Sequence, residues 1–335
     1  MRARWLAVIT AGVMMLGQGL GRPAWAEPTQ DFPTWLAALK ADALARGIRP
    51  ATFDQALADV QPIDRVIELD RKQPEFTLSF DQYMANVVSP QRVKNGRQRL
   101  SHHKKLLGAV ARRYGVPAPV IVAMWGIESD YGRLTGGYSV VAALATLAYD
   151  GRRSQYFRGE LINALTMIDG GVPAERMRGS WAGAMGQCQF MPSTHVKYAR
   201  SWSGQAKPDI WTLPPDVFAS AANYLAQIGW NPHQHWGRAV KLPKTDLAPA
   251  LFGLDVKKSL NEWRHLGIRQ ANGKPLPASH SIMASLVRAE TGKGDDVGRG
   301  PPYLVYDNFR ALMKWNRSVF FAVAAGTLAD RVASK

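Results

Sequence analysis

A single cysteine, Cys188, is all the thiol chemistry in this 335-residue chain. No internal disulfide can form, so stability has to come from a buried core rather than from covalent staples. Acidic residues are also scarce: 26 Asp and Glu stand against 42 Lys and Arg, a formal net charge of +16. So basic a balance suits a polyanionic partner. No nucleic-acid-reading motif is present, so nucleic acid is not the expected polyanion. Internal repeats and low-complexity segments are absent as well, which excludes solenoid and propeller arrays.

The one apolar stretch at the start, Trp5 to Leu20, is broken by Gly12, Gly17, Gln18 and Gly19. It follows Arg2 and Arg4 and precedes Ala24-Trp25-Ala26, small residues at the positions a signal peptidase reads. Residues 1–26 are therefore read as a signal peptide. Cleavage would leave a mature chain of about 309 residues and about +13 charge, soluble in the periplasm, with no cysteine after the signal to carry a lipid. A polyanion met there is more naturally a cell-wall polymer or a lipid surface. A chain of that length is near the limit for one core and usually divides into lobes with a cleft.

What is present is mostly helix. Phe32, Trp35, Leu36, Leu39, Ala43 and Leu44 keep helical spacing until Gly47 and Pro50 end the run. Further helices are expected over 50–60 and 78–88, then a long basic one from Pro90 to about Tyr114 with Val93, Leu100, Leu106, Leu107 and Val110 as its apolar stripe. Pro117 and Pro119 open an apolar helix. Others are expected over 139–149, 154–168, 190–200, 215–228 and from Phe309 to Ala333. Between His235 and Tyr306 short mixed runs broken by Gly and Pro read as a small strand-containing insertion. The expected division is a helical domain over 27–100 completed by 307–335, a core over 101–234 and a β-containing subdomain over 235–306.

The helix after Pro119 ends in GIESDYG, residues 126–132. Val120, Ile121, Val122, Met124, Trp125 and Ile127 cover every face at a 3.6-residue period, the pattern of a helix buried all round. Glu128 is out of place there. A buried carboxylate is costly unless it is paired or neutralised, and proteins keep one where a protonated acid is useful near neutral pH. The same pattern also fits a carboxylate that caps a neighbouring element or pairs with an arginine. Asp130, two residues on, points to another helix face and is not a local acid partner. Glycosidases that use two carboxylates set them across a sugar ring, whereas substrate-assisted ones manage with one acid.

A second stretch, GSWAGAMGQCQFMPST over 179–194, has little side-chain bulk, so backbone can approach a ligand or another helix, while Gln187 and Gln189 supply amides. A tight turn before a helix reads equally well. Cys188 has no evident base beside it and fits a small buried hydrophobe better than a nucleophile. His233 and His235 lack a third ligand, so no metal site is expected from them.

Five ordered blocks resemble the lytic murein transglycosylase B family, related in fold to goose-type lysozyme: VIELDRKQPEF (66–76), GIESDYGR (126–133), GSWAGAMGQCQFMPST, SAANYLAQIGW (220–230) and YDNFRALMKWNRS (306–318). The resemblance implies a mainly α (α+β) fold, a lysozyme-like catalytic core with an added helical domain and a small β-containing subdomain. It implies that Glu128 cleaves the MurNAc-β-1,4-GlcNAc bond of peptidoglycan glycan strands as acid and then base, leaving a 1,6-anhydro end without consuming water. Hydrolytic muramidase action and non-catalytic peptidoglycan binding are the alternatives. By the same matching Ser180, Gln189 and Asn308 line the cleft, with Tyr224 and Arg153 as further sugar contacts. No cofactor is implied. Several members carry an EF-hand-like calcium loop before DIW. Here that stretch is RSWSGQAKPDIW, 200–211, where Ser201, Ser203, Gln205 and Asp209 bring one negative charge and Lys207 opposes it, so no tight calcium site is expected.

Overall fold

Prolines and small polar residues set most of the helix starts. The computed structural model describes residues 30–72, 78–290 and 298–334, and the expected signal peptide lies outside them. The described residues form fourteen α-helices and a small amount of sheet, grouped into two units that interleave along the chain. One unit comprises 30–72 and 125–223, the other 78–124 and 224–334.

In the first unit α1 (Phe32–Ala45) begins where Asp31 accepts a hydrogen bond from the Thr34 N–H and ends at Gly47, whose φ of 85° a side chain would oppose. Next come α2 (Pro50–Leu57) and α3 (Asp64–Lys72), the latter not foreseen because its charged face masks a short apolar stripe. The interior of this unit is α8 (Val140–Tyr149) laid along α9 (Ser154–Asp169). Ala143, Ala145 and Ala148 keep α8 slim, and Leu144, Leu161 and Leu165 are fully buried. Each such leucine contributes roughly 1.5–3 kcal/mol of transfer free energy. Strands β1 (Tyr138–Ser139) and β2 (Arg178–Gly179) pair antiparallel, and α10 (Pro192–Tyr198) follows.

The second unit opens with α4 (Phe80–Val87), held by a capping box between Ser79 and Gln82. The expected long basic helix is two, α5 (Pro90–His102) and α6 (Lys104–Tyr114). Ser101, His102 and His103 are weak helix formers, and at His103 the backbone leaves helical geometry at φ −100° and ψ 18°. A five-stranded antiparallel sheet follows in the order β4 (Lys258–Ser259), β6 (Met283–Glu290), β7 (Arg299–Val305), β3 (Gly237–Lys241), β5 (Arg269–Gln270). All five strands lie within the stretch expected to carry β structure. Trp263, on α12 (Leu260–His265), fills the space against this sheet with Leu286, Leu304 and Ile268, and its indole donates to the Ala284 carbonyl at 3.0 Å. The expected C-terminal helix is also two, α13 (Asp307–Trp315) and α14 (Val319–Ala333), divided where Ser318 caps the second. Two helices, α7 (Ala118–Ser129) and α11 (Pro214–Gln227), run through the divisions between the units. No single described helix is long and apolar enough to cross a membrane.

Candidate active site

Glu128 is 3% exposed at the last turn of α7, and every residue from Ile121 to Ser129 is buried. The chain then turns through three consecutive left-handed residues: Asp130 at φ 49°, Tyr131 at 61° and Gly132 at 83°. A tyrosine in this region is a true outlier, with a cost of about 1–3 kcal/mol that the surroundings must offset. The offset is visible. Tyr131 closes the helix by donating its N–H to the Trp125 carbonyl at 3.3 Å, and its ring stands edge-on to Trp125 at 5.5 Å. Gly126 makes that possible, because a Cβ there would lie 2.7 Å from the Tyr131 ring.

Gln187 locks the turn from the other side. Its Oε1 accepts from the Trp125 indole at 2.8 Å, its Nε2 donates to the Trp211 carbonyl at 2.7 Å, and its carbonyl accepts from Ser129 Oγ at 2.8 Å. Gly132 must be glycine: a Cβ would sit 2.3 Å from Gln187 Oε1. The two glycines of GIESDYG thus hold the strained turn that follows Glu128. Sequence reasoning noted the Gln187 amide without giving it this part.

The glycine-rich stretch packs against the residues that follow this turn. Ser180 is 2% exposed and its Oγ accepts from the N–H groups of Ala182 and Ala184 at 3.3 and 3.1 Å. Gly179 and Gly136 are in backbone contact, since a Cβ on Gly136 would meet the Gly179 carbonyl at 2.1 Å. Gln189, left-handed at φ 49°, donates Nε2 to the carbonyls of Thr135 and Gly186, while its buried Oε1 has no hydrogen-bond partner among the described residues. The three non-glycine left-handed residues among those described are Asp130, Tyr131 and Gln189. Strain is concentrated in the turn after Glu128 and in the stretch packed against it. Cys188, buried between these elements, donates to the Val217 carbonyl; burial, and after it the nearby Glu128 carboxylate, push its thiol far above the ordinary value.

The segments bearing Glu128, Ser180 and Gln189 are therefore brought into one hydrogen-bonded assembly. Arg153 lies in the same unit but is otherwise engaged: with Arg152 it grips Asp70, a carboxylate 1% exposed, and its guanidinium lies 4.8 Å over Phe157. Tyr224 and Asn308 belong to the second unit. Tyr224 rests against Trp315 at 4.8 Å. Asn308 is fully buried, accepting from the Asn231 N–H at 2.6 Å and donating to the carbonyls of Asn231 and Gln234. Its amide is committed to the shape of the 231–234 loop.

The loop over 200–212 does not suit a cation. Asp216, fully buried, spends one carboxylate oxygen on the Trp202 N–H at 2.7 Å and the other on the Asp209 N–H at 2.9 Å. Asp209 accepts from the N–H groups of Trp211 and Thr212 and from Thr212 Oγ1, and pairs with Arg176. Both carboxylates already face donors, where a calcium ion needs them turned inward among further oxygens.

Comparison with known proteins identifies the family. Residues 31–330 match the family model described as the transglycosylase SLT domain. The membrane-bound lytic murein transglycosylase B of Escherichia coli K12 is 31% identical over 293 residues, 84% of this chain and 77% of the relative. SltB3 from Pseudomonas aeruginosa, solved in complex with NAG-NAM-pentapeptide, superposes with a TM-score of 0.84 at 45% identity, covering 91% of this chain and 80% of that one. The Escherichia coli lytic transglycosylase Slt35, solved in complex with calcium, gives 0.74 at 30% identity over 89% of this chain and 92% of its own.

Proposed function

Because the chain belongs to the SLT transglycosylase family, a family of lysozyme-like peptidoglycan-cleaving lyases, we propose that Glu128 is the group with which it cuts glycan strands. The observation that carries this reading is the setting of Glu128: a buried carboxyl at the end of an apolar helix, followed at once by a strained turn that Gln187 and two glycines hold in place. Strain of this kind persists where the surroundings over-determine it, and it gathers at active sites. Four other buried carboxylates among the described residues of the unit serve the fold. Asp70 holds Arg152 and Arg153, Asp150 holds Arg71, Glu160 accepts from Ser193, and Asp216 accepts two backbone N–H groups. Asp130 pairs with Arg133. With these acids committed elsewhere, the nucleophile falls to the substrate.

Burial disfavours the charged form of a carboxyl, which is what a general acid requires. Glu128 protonates the glycosidic oxygen between MurNAc and GlcNAc. The N-acetyl group of the same sugar stabilises the positive charge developing at C1, and the leaving sugar departs as an alcohol. Glu128, now ionised, takes the proton of the muramic C6 hydroxyl as that oxygen bonds to C1. The proton inventory closes with Glu128 neutral again and a 1,6-anhydro end formed. Gln189 Oε1, turned into the interior by a left-handed backbone, offers an acceptor for an acetamido N–H, and Ser180 fixes the turn beside it. Arg153 serves the site through the Asp70 clamp that it holds, and Asn308 shapes the 231–234 loop of its own unit. Export to the periplasm by residues 1–26 completes the reading, because the substrate lies there.

Mass spectrometry of soluble products from sacculi tests it. The chain is expected to release muropeptides one water lighter than hydrolytic products. Glu128→Gln should retain sacculus binding while turnover falls by about 10²–10⁴-fold, the usual weight of general acid–base catalysis. Full-mass reducing ends would replace the lyase reading with a muramidase, and unchanged turnover in Glu128→Gln would remove that residue from the mechanism.

A further inference from the structure

The positive charge of this protein is not shared between its two units. Among described residues the unit that holds Glu128 has 15 Lys and Arg and 15 Asp and Glu, whereas the other has 22 against seven. The whole basic excess therefore belongs to the unit without the candidate acid. Its densest part is the α5–α6 stretch. No Asp or Glu occurs between Asp81 and Glu128, while eight Lys and Arg fall between residues 92 and 113.

Helix α6 arranges four of these on one face. At 100° per residue, Lys104, Gly108, Arg112, Lys105, Ala109 and Arg113 follow one another around half the helix, and Leu107 and Val110 lie opposite. The two apolar residues are 0% exposed and all four cations are exposed. Between the cation pairs stand Gly108 and Ala109, which bring no bulk of their own, and the Arg112 guanidinium reaches back beside Gly108, so the cations share one face over about 12 Å. That span is comparable with the Debye length of about 8 Å at physiological salt, so the four charges act jointly on one ligand.

We infer that this face of α6 is a docking surface for the carboxylate-bearing stem peptides of peptidoglycan, separate from the residues that cut the glycan. The inference rests on the reading of the substrate given above. An extended acidic peptide suits a flat cationic strip with small residues along its centre, and the arginines offer paired N–H donors to carboxylates. A bilayer fits less well, because the apolar side of α6 is already buried and has nothing to insert. Holding the stems would keep the enzyme on the wall between cuts, through a unit whose charge the neutral catalytic unit lacks.

The test is co-sedimentation of the full chain with intact sacculi, alongside cleavage of short soluble glycan fragments. Replacing Lys104, Lys105, Arg112 and Arg113 by Gln keeps helix propensity. An exposed charge contact is worth about twofold in affinity, so the fourfold variant should bind sacculi roughly tenfold more weakly at low salt. Arg46, Arg65, Lys72 and Lys197, exposed in the neutral unit, replaced together by Gln, remove the same charge and should change binding less than about twofold. Both variants should cleave the soluble fragments at the parental rate. Equal losses in the two sets would overturn the inference in favour of net charge alone. Undiminished binding of the wild type to glycan stripped of its peptides would overturn it too. So would a fourfold variant that loses phosphatidylglycerol vesicles but keeps sacculi. Binding through α6 without fragment release by the wild type would uphold this surface and refute the catalytic reading instead.

Discussion

Gly132→Ala is the sharpest perturbation of the turn behind Glu128. Two costs arise at once. The left-handed φ of 83° costs an alanine roughly 1–2 kcal/mol. The new Cβ, 2.3 Å from Gln187 Oε1, must also push that amide away from the Trp125 indole and the Trp211 carbonyl. Each buried hydrogen bond so broken leaves a polar group unsatisfied, at about 1–3 kcal/mol. The sum is about 3–8 kcal/mol, against a total stability of roughly 5–15 kcal/mol. Gly204→Ala is the internal control, because Gly204 has φ 78° and nothing within 4 Å of the added Cβ, leaving only the backbone term. Urea unfolding of both variants followed by tryptophan fluorescence, with turnover on sacculi alongside, separates the terms. Gly132→Ala should be destabilised by at least about 2 kcal/mol more than Gly204→Ala and should lose turnover. Equal destabilisation in the two variants would show that Gln187 does not clamp the turn.

Acid sensitivity should trace in part to His195, 7% exposed, whose pKa burial lowers from the ordinary 6.5 to about 4 although its ring bonds the Pro208 carbonyl. On acidification the unfolded chain takes this proton first, so the stability present above pH 6.5 is lost as pH falls toward 4, by about 3 kcal/mol. His195→Asn should flatten that slope in urea titrations between pH 7 and pH 4.5, and an unchanged slope would assign it elsewhere. Chelator should leave the melting temperature unchanged, and millimolar calcium should not raise it. Asp216→Asn should cost about 2–4 kcal/mol, since the amide can present only one acceptor to two backbone donors. A calcium-dependent rise in melting temperature would contradict the reading of the 200–212 loop.

The helix carrying Glu128 was legible because nine consecutive residues without an exposed side chain leave their mark as an unbroken apolar period. The turn after it was not, because aspartate and tyrosine are poor signals for left-handed backbone, and only the surrounding glycines hint at it. The breaks at His103 and at Asn316 to Ser318 were hidden by apolar stripes that continue in phase on both sides. Asn308 and Arg153 entered only through the family resemblance, and the partners they hold here were not legible because nothing in the sequence marks Asn231, Gln234 or Asp70 as theirs. The charge asymmetry was invisible for a topological reason: the two units alternate along the chain, so no window of sequence separates them.

Cys188 gives the protein a clock that needs no engineering. Its thiol is 2% exposed and strongly disfavoured as thiolate, so air, peroxide and disulfide exchange should pass it by in the folded state. A maleimide can reach it only when the elements around Glu128 part. The labelling rate of the unmodified chain therefore counts openings of this one region, and a slow substrate fragment that steadies it should lengthen the interval between them.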